Sequence, residues 1–232
     1  MTTKKMEVVE IDVFDKVLNN LDGIDKFKRD IISANLAVNV VHLNSIGRIV
    51  KNLNNENKHI GNRMECAFLE FLTNNDVDYE NIRKETKEIS QTNPSTEKRM
   101  VMTVVEHPDK EGYYRIYGNG STDVFLIRCN EVLQENGKKA AFTFSHKDSL
   151  ENQIIKNYKD NRLRVMALGY KDIKIEDYQK MHGISSNGQA DGKVDSDEYK
   201  DQELIEKHFV LVCLIVLDDP IRGVEASEAV SD

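Results

Sequence analysis

Apolar and polar residues alternate over 7–13 (EVVEIDV), the period of a strand with one buried face, so the chain is expected to open in β structure. Over 24–50 the apolar residues recur at helical spacing and no proline intervenes, which predicts one or two helices. After the polar loop 52–58 (NLNNENK), apolar side chains at 64, 67, 68, 71 and 72 mark one face of a helix over 63–72. Segment 77–88 is charged and ambiguous, and 90–97 reads as a loop around Pro94. Three strands are expected next, at 99–106, 113–117 and 140–144, the first two joined as a hairpin by 107–112.

Two apolar runs then flank 117–123 (YGNGSTD), and 124–133 continues with an apolar period near 3.6, so this segment reads as a link from strand to helix. A helix over 150–161 and a strand over 163–171 follow. The nearly continuous apolar run 208–217 predicts a strand buried on both faces. Segment 185–198 is a hydrophilic excursion, and 218–232 is an acidic tail. No internal repeat occurs, and no linker supports a second domain.

Composition narrows the function. With 232 residues and 39% apolar content the chain can bury a real core. A net charge of -8 repels a phosphate backbone, so no nucleic-acid partner is expected. The longest apolar run, 209–217, is far short of the ~20 residues a bilayer-spanning helix needs. No signal segment or direct membrane insertion is expected. Cys66, Cys129 and Cys213 are far apart among apolar neighbours, as in reduced core thiols. The histidines at 42, 59, 107, 146, 182 and 208 show no metal spacing.

Two motifs carry possible chemistry. Segment 187–198 fits a twelve-residue calcium loop, with Asn187, Gln189, Asp191, Asp195 and Glu198 as oxygen ligands and Gly192 at the turn. Asn and Gln replace Asp at its first and third positions, and no second hand pairs with it, so a solvated acidic loop is the other reading. YGNGSTD has neither the glycine spacing of a dinucleotide fingerprint nor the Gly-Lys-Ser/Thr of a P-loop, and composition favours a plain turn. No nucleophile elbow or catalytic triad is present.

Read in order, several segments together resemble one family. Met1-Thr-Thr-Lys-Lys-Met6 looks like the Leu-Thr-Thr-Asn-x-Met that follows the phosphorylated Asp-Lys-Thr-Gly-Thr of P-type ATPases. His42-Leu-Asn44-Ser45 is similar to their Ile-Asn-Ser, and Gly61-Asn62-Arg-Met-Glu65-Cys66-Ala67-Phe-Leu69 to Gly-Asn-Lys-Thr-Glu-Cys-Ala-Leu-Leu. Lys98-Arg-Met100 matches Lys-x-Met, and Tyr117-Gly-Asn119-Gly120-Ser-Thr-Asp123 stands where the family has Ser-Lys-Gly-Ala-Ser-Glu. Leu163-Arg164-Val-Met166-Ala-Leu-Gly-Tyr170-Lys-Asp172 resembles Leu-Arg-Thr-x-x-x-Ala-Tyr-Arg-Asp, and Leu217-Asp-Asp219-Pro220-Ile-Arg222 the Glu-Asp-Pro-x-Arg hinge. The pattern is similar to the nucleotide-binding domain of plasma-membrane-type calcium pumps.

That resemblance implies an α/β fold of the α+β type, with a twisted, mainly antiparallel sheet of about six strands flanked by helices. It implies one nucleotide-binding domain over 1–232, with hinge segments at about 1–12 and 216–232 that include Asp219, Pro220 and Arg222. The chain then looks like an excised, monomeric domain on the cytosolic face of a pump. Its partners are the phosphorylation and actuator domains of the same polypeptide. It lacks the phosphorylated aspartate, so it is not catalytic alone and positions ATP, with Mg2+, for phosphoryl transfer elsewhere. A regulatory or calcium-binding module with a degenerate nucleotide pocket is the alternative.

By the same resemblance Glu65 accepts from the adenine amino group, Arg164 and Lys98 approach the phosphates, and Met166 packs on the nucleoside. Gly120 leaves room for the purine ring, and Asn119 stands where the family has a pocket lysine. The adenine-stacking aromatic falls on Asn93, and no phenylalanine or tyrosine occurs over 80–111. Losing base stacking costs about 1–3 kcal/mol and losing a charged contact a similar amount, so ATP is expected to bind one to three decades more weakly, unless Tyr117 substitutes.

Overall fold

A computed structural model describes residues 5–13, 17–39, 41–42, 45–46, 48–51, 57–60, 62–92, 99–135, 137–181 and 205–220. Among them nine strands form one sheet, antiparallel except for one pair. At its centre, β13 (Phe209–Asp218) lies antiparallel to β12 (Arg164–Lys174), which pairs with β9 (Tyr113–Ser121). β8 (Met100–Glu106) and β7 (Glu88–Gln91) complete that side. The opposite edge of β13 is shared by two strands laid end to end. β1 (Glu7–Asp12) covers its last residues, and β10 (Cys129–Leu133) runs parallel to its first. β2 (Val17–Leu18) extends β1, and β11 (Lys139–Ala141) extends β10. The short pairs β3 (Val41–His42) with β4 (Ser45–Ile46), and β5 (Arg48–Lys51) with β6 (Asn57–Ile60), stand apart from this sheet.

Helices cover both faces. α1 (Lys26–Val38), α2 (Arg63–Asn74) and α3 (Tyr79–Glu85) bury Ile32, Leu36, Phe68, Leu69 and Leu72 against Tyr117, Leu168, Val212 and Ile215. The other face packs Met102, Ile116, Ala167 and Leu214 under Phe125, Leu150, Ile155 and Tyr178. These come from α4 (Thr122–Phe125), a continuous helical run made of α5 (Phe144–Ser149), a π segment and α6 (Lys156–Asp160), and α7 (Ile175–Met181). β13 lies between the layers and its first nine residues are all buried, as its unbroken apolar run requires.

Five expectations need correction. The helical reading of 24–50 holds only for Lys26–Val38, and β3, β4 and β5 take Val41–His42, Ser45–Ile46 and Arg48–Lys51, because the apolar residues beyond α1 fit a strand as well as a helix. The sheet has nine strands where about six were read, because β2, β7 and β10 are too short or polar to announce themselves. YGNGSTD is no connecting loop: Tyr117 to Ser121 are the end of β9, and helix begins only at Thr122. The helix expected over 124–133 stops after a short α4 and one 3₁₀ turn, and Cys129–Leu133 is strand. Its apolar residues satisfy either period, and the edge of β13 beyond β1 offers hydrogen bonds that only a strand can take. The strand at 140–144 shrinks to Lys139–Ala141, with Phe144 opening α5.

The glycines of β9 answer to packing. A Cβ on Gly118 would lie 2.8 Å from the Phe125 ring, and one on Gly169, its register partner in β12, 2.6 Å from the Val210 carbonyl oxygen. Both glycines make room for Phe125, which is fully buried between them and Phe209.

Candidate functional site

One cleft of about 590 Å³ lies where β8 and β12 begin and β9 ends, under the N-terminus of α2. Five of the six nucleotide-site residues expected from the sequence, Glu65, Asn119, Gly120, Arg164 and Met166, line it, although 101 positions separate the first from the last. The sheet assembles most of them. Gly120 stands between Met100 of β8 and Ala167 of β12, and Asn119 between Val101 and Leu168.

Glu65 is placed by the start of α2. Asn62 caps that helix by accepting from the Met64 N-H at 2.9 Å, and its own backbone N-H bonds the Glu65 carboxylate. Only 5% of Glu65 is exposed, and its Oε2 has no hydrogen-bond partner among the described residues. Burial pushes its pKa up to about 7, against the Asn62 hydrogen bond and the Arg83 charge, which act in the opposite direction. The result is a carboxyl oxygen in want of a donor, set in a wall with Met64, Phe68, Met100 and Met166.

Arg164 lines the same cleft, exposed at the start of β12, and has no ion-pair partner among the described residues. Two further cations line the rim, each with a carboxylate of its own. Arg99 bonds Asp123 at 2.6 Å, and Lys159 bonds Glu151 at 2.7 Å. The cleft thus joins an acceptor in an apolar wall to a basic opening, an arrangement that suits a flat ring with an amino group and an anionic tail.

Several residues differ from the sequence reading. Gly120 is required by the sheet as well as by any ligand, since a Cβ there would lie 2.9 Å from the Arg99 carbonyl oxygen and 3.1 Å from Met100 Cβ. Tyr117 does not replace the missing aromatic. It faces a second, larger cleft of about 710 Å³ between α1, α3 and the far end of β8, which contains none of the expected site residues. The aromatic ring in the first cleft is Phe68, which sequence reasoning read only as a core position on the α2 face. Arg99, Asp123 and Lys159 were also missed, because charged residues beside loops carry no local signal of convergence.

Asp219 accepts from Arg63 of α2 at 3.1 Å, tying the residue after β13 to the helix that carries Glu65. Lys98, Asn93, Arg222 and the whole of 187–198 lie outside the described residues. Among the described residues no three His, Cys, Asp or Glu side chains come together as a metal site, and no helix is long and apolar enough to cross a membrane. The three thiols are buried, and none forms a disulfide among the described residues. His146 closes a capping box with Thr143, and His107 lies against Arg115 and Asp172, so these two histidines have local structural roles.

The family model described as "P-type ATPase, cytoplasmic domain N" matches residues 31–223. Plasma membrane calcium-transporting ATPase 4 of Bos taurus is 26% identical over 240 residues, covering 100% of this chain and 18% of that protein. Its counterpart in Homo sapiens is 30% identical over 119 residues, or 50% of this chain and 9% of the relative. Plasma membrane calcium-transporting ATPase mca-1 of Caenorhabditis elegans is 26% identical over 170 residues, 71% and 13% respectively. The chain spans less than a fifth of the length of these relatives. With the family match covering most of its length, the chain belongs to the P-type ATPases, in the region of their cytoplasmic domain N.

Proposed function

We propose that this chain is the nucleotide-binding domain of an ATP-driven calcium pump, and that the cleft holds ATP with its base at Glu65 and its phosphates toward Arg164. The observation that carries the reading is the buried Oε2 of Glu65, without a hydrogen-bond partner among the described residues, in one cleft with Arg164, which has no ion-pair partner among them. An exocyclic amino group supplies the donor that the ionised carboxylate lacks, while the keto oxygen of guanine would meet that carboxylate lone pair to lone pair. Met166 and Phe68 give the ring apolar contact. Asn119, 4% exposed, adds a neutral amide where a lysine would add charge.

The chain's share of the reaction is positioning. Phosphoryl transfer belongs to an aspartate of a neighbouring domain, and Mg2+ would accompany the phosphates and spread their charge. The pairing of Glu7 with Asp218 supports the hinge, because it sets the first and last described strands side by side. The Arg63–Asp219 bond supports a link between that hinge and the cleft.

Titration of the chain with ATP and GTP, followed by amide chemical shifts, tests the reading. Saturable ATP shifts at Glu65 and Arg164, weak in affinity and weaker still for GTP, are expected. An absence of shifts at both residues sinks the site, and sub-micromolar affinity sinks the expectation of weak binding.

A further inference from the structure

We propose that Arg99 is a specificity residue of the cleft, exchanging its ion pair with Asp123 for the phosphates of a polyphosphate ligand. This rests on the cleft being a nucleotide site, and concerns how it distinguishes a triphosphate from shorter or uncharged forms.

The backbone holds Arg99 at the rim. Its φ is +41°, the left-handed region that a long side chain seldom occupies. That conformation is held by the next strand, since the Arg99 carbonyl oxygen accepts from the Ser121 N-H at 3.2 Å and lies close over Gly120. A glycine at 120 is what lets the carbonyl come so near, so β9 and the turn into β8 together fix where the guanidinium starts. From there its Nη2 reaches Asp123 Oδ2 at 2.6 Å, and both residues line the cleft.

The charges at the rim set an order of recruitment. Arg164 alone is uncommitted among the described residues, and one guanidinium can serve one phosphoryl group. A triphosphate brings more negative charge than that and needs a second cation. Lys98 lies outside the described residues, and among the described residues of the cleft Arg99 and Lys159 are the candidates, each already bonded to a carboxylate. Arg99 immediately precedes β8, whose first residue Met100 pairs with Gly120, whereas Lys159 projects from α6. The Arg99–Asp123 pair is about half exposed on both sides, at 54% and 47%, so water shares its charge and breaking it is cheap. A phosphate offers the same planar fork more charge and a second oxygen. Asp123 stays at the rim after the exchange and repels the incoming phosphates. It thereby lowers the affinity for triphosphate while leaving the base contact at Glu65 untouched.

Binding of ATP, AMP and adenosine to the 232-residue chain and to two variants tests this. Arg99→Asn removes the charge yet keeps a residue that tolerates positive φ, and Asp123→Asn removes the competing carboxylate. Arg99→Asn is expected to weaken ATP about tenfold and adenosine not at all, and Asp123→Asn to strengthen ATP about threefold with adenosine again unchanged. Equal loss of ATP and adenosine in Arg99→Asn, or no gain in Asp123→Asn, overturns the exchange. If the parent chain binds ATP and adenosine equally well, this proposal fails while the nucleotide site stands. If it binds neither, both fail together.

Discussion

The side-chain amide of Asn35 donates a hydrogen bond to the carbonyl oxygen of Gly169 at 2.7 Å, joining α1 to the middle of the sheet across 134 residues. The same Nδ2 lies 3.1 Å from the Gly118 carbonyl oxygen. The chain of bonds continues away from the sheet centre. Asn39 donates to Asn35 Oδ1, Thr103 donates to Asn39 Oδ1 at 2.6 Å, and Gln91 on the edge strand donates to Thr103. Asn39 also lines the cleft that holds Glu65, so this buried polar network fixes both the glycine pair and one wall of that cleft.

Replacing Asn35 by Leu should therefore destabilise the fold by about 1–3 kcal/mol, the cost of leaving a buried carbonyl unsatisfied. Urea unfolding reads this as a lower midpoint at unchanged slope. An unchanged midpoint would show that the sheet carbonyls are satisfied without the amide.

Gly169→Ala places a methyl group 2.6 Å from a backbone oxygen that β12–β13 pairing holds in place, and against the buried Phe125 ring. A loss of about 2 kcal/mol or more is expected. Gly120→Ala meets the Arg99 carbonyl oxygen and should cost stability even without nucleotide. If Gly120→Ala unfolds at the parent's denaturant concentration and only ATP binding changes, the glycine serves the ligand and not the strand.

Glu65 makes stability depend on pH in a direction its burial dictates. Its folded-state pKa is raised from 4.5 to about 7, so the folded form holds a proton through that interval which the unfolded chain gives up. The stabilisation is complete below about 4.5 and is lost as pH rises through about 7. Glu65→Gln keeps the neutral state at every pH. Its stability relative to the parent should climb between pH 5 and 8 by up to about 3 kcal/mol, read from denaturant unfolding at each pH. Parallel pH profiles for the two proteins would contradict a buried carboxyl with a raised pKa.

Arg115, 5% exposed, is held in a fork by Asp172, with Nε to Oδ1 at 2.7 Å and Nη2 to Oδ2 at 3.1 Å. Asp172→Asn leaves that buried guanidinium without its counter-charge. A loss of about 2–4 kcal/mol is expected, with ATP affinity unchanged because neither residue lines the cleft proposed to hold ATP. Equal damage to binding and stability would mean that the two ends of the sheet are coupled.

The strands with the plainest signals were legible before any coordinates. β13 stands out because nine apolar residues in a row fit only a strand covered on both faces, and α2 because its apolar stripe keeps helical period. β10 was not legible. Its apolar residues fit a helix equally well, and the parallel edge that makes it a strand belongs to β13, some eighty residues later. The glycines of YGNGSTD signalled a turn, because glycine's freedom is visible in sequence whereas the Phe125 ring that needs their missing side chains is not.

The candidate site divides in the same way. Ordered motifs along the chain marked Glu65, Asn119, Gly120, Arg164 and Met166, and the fold gathers them into one cleft. By itself the sequence determined residue identity, local period and the order of motifs, all of which depend on near neighbours in the chain. Only the tertiary structure decided that Phe68, and not Tyr117, lines the cleft, that Gly120 is needed by β8, and that Arg99 faces Asp123 at the rim. The reason is physical. Which face of a strand meets which cleft, and which charges neutralise each other, depends on the register of strands far apart in sequence, and no local period records that register.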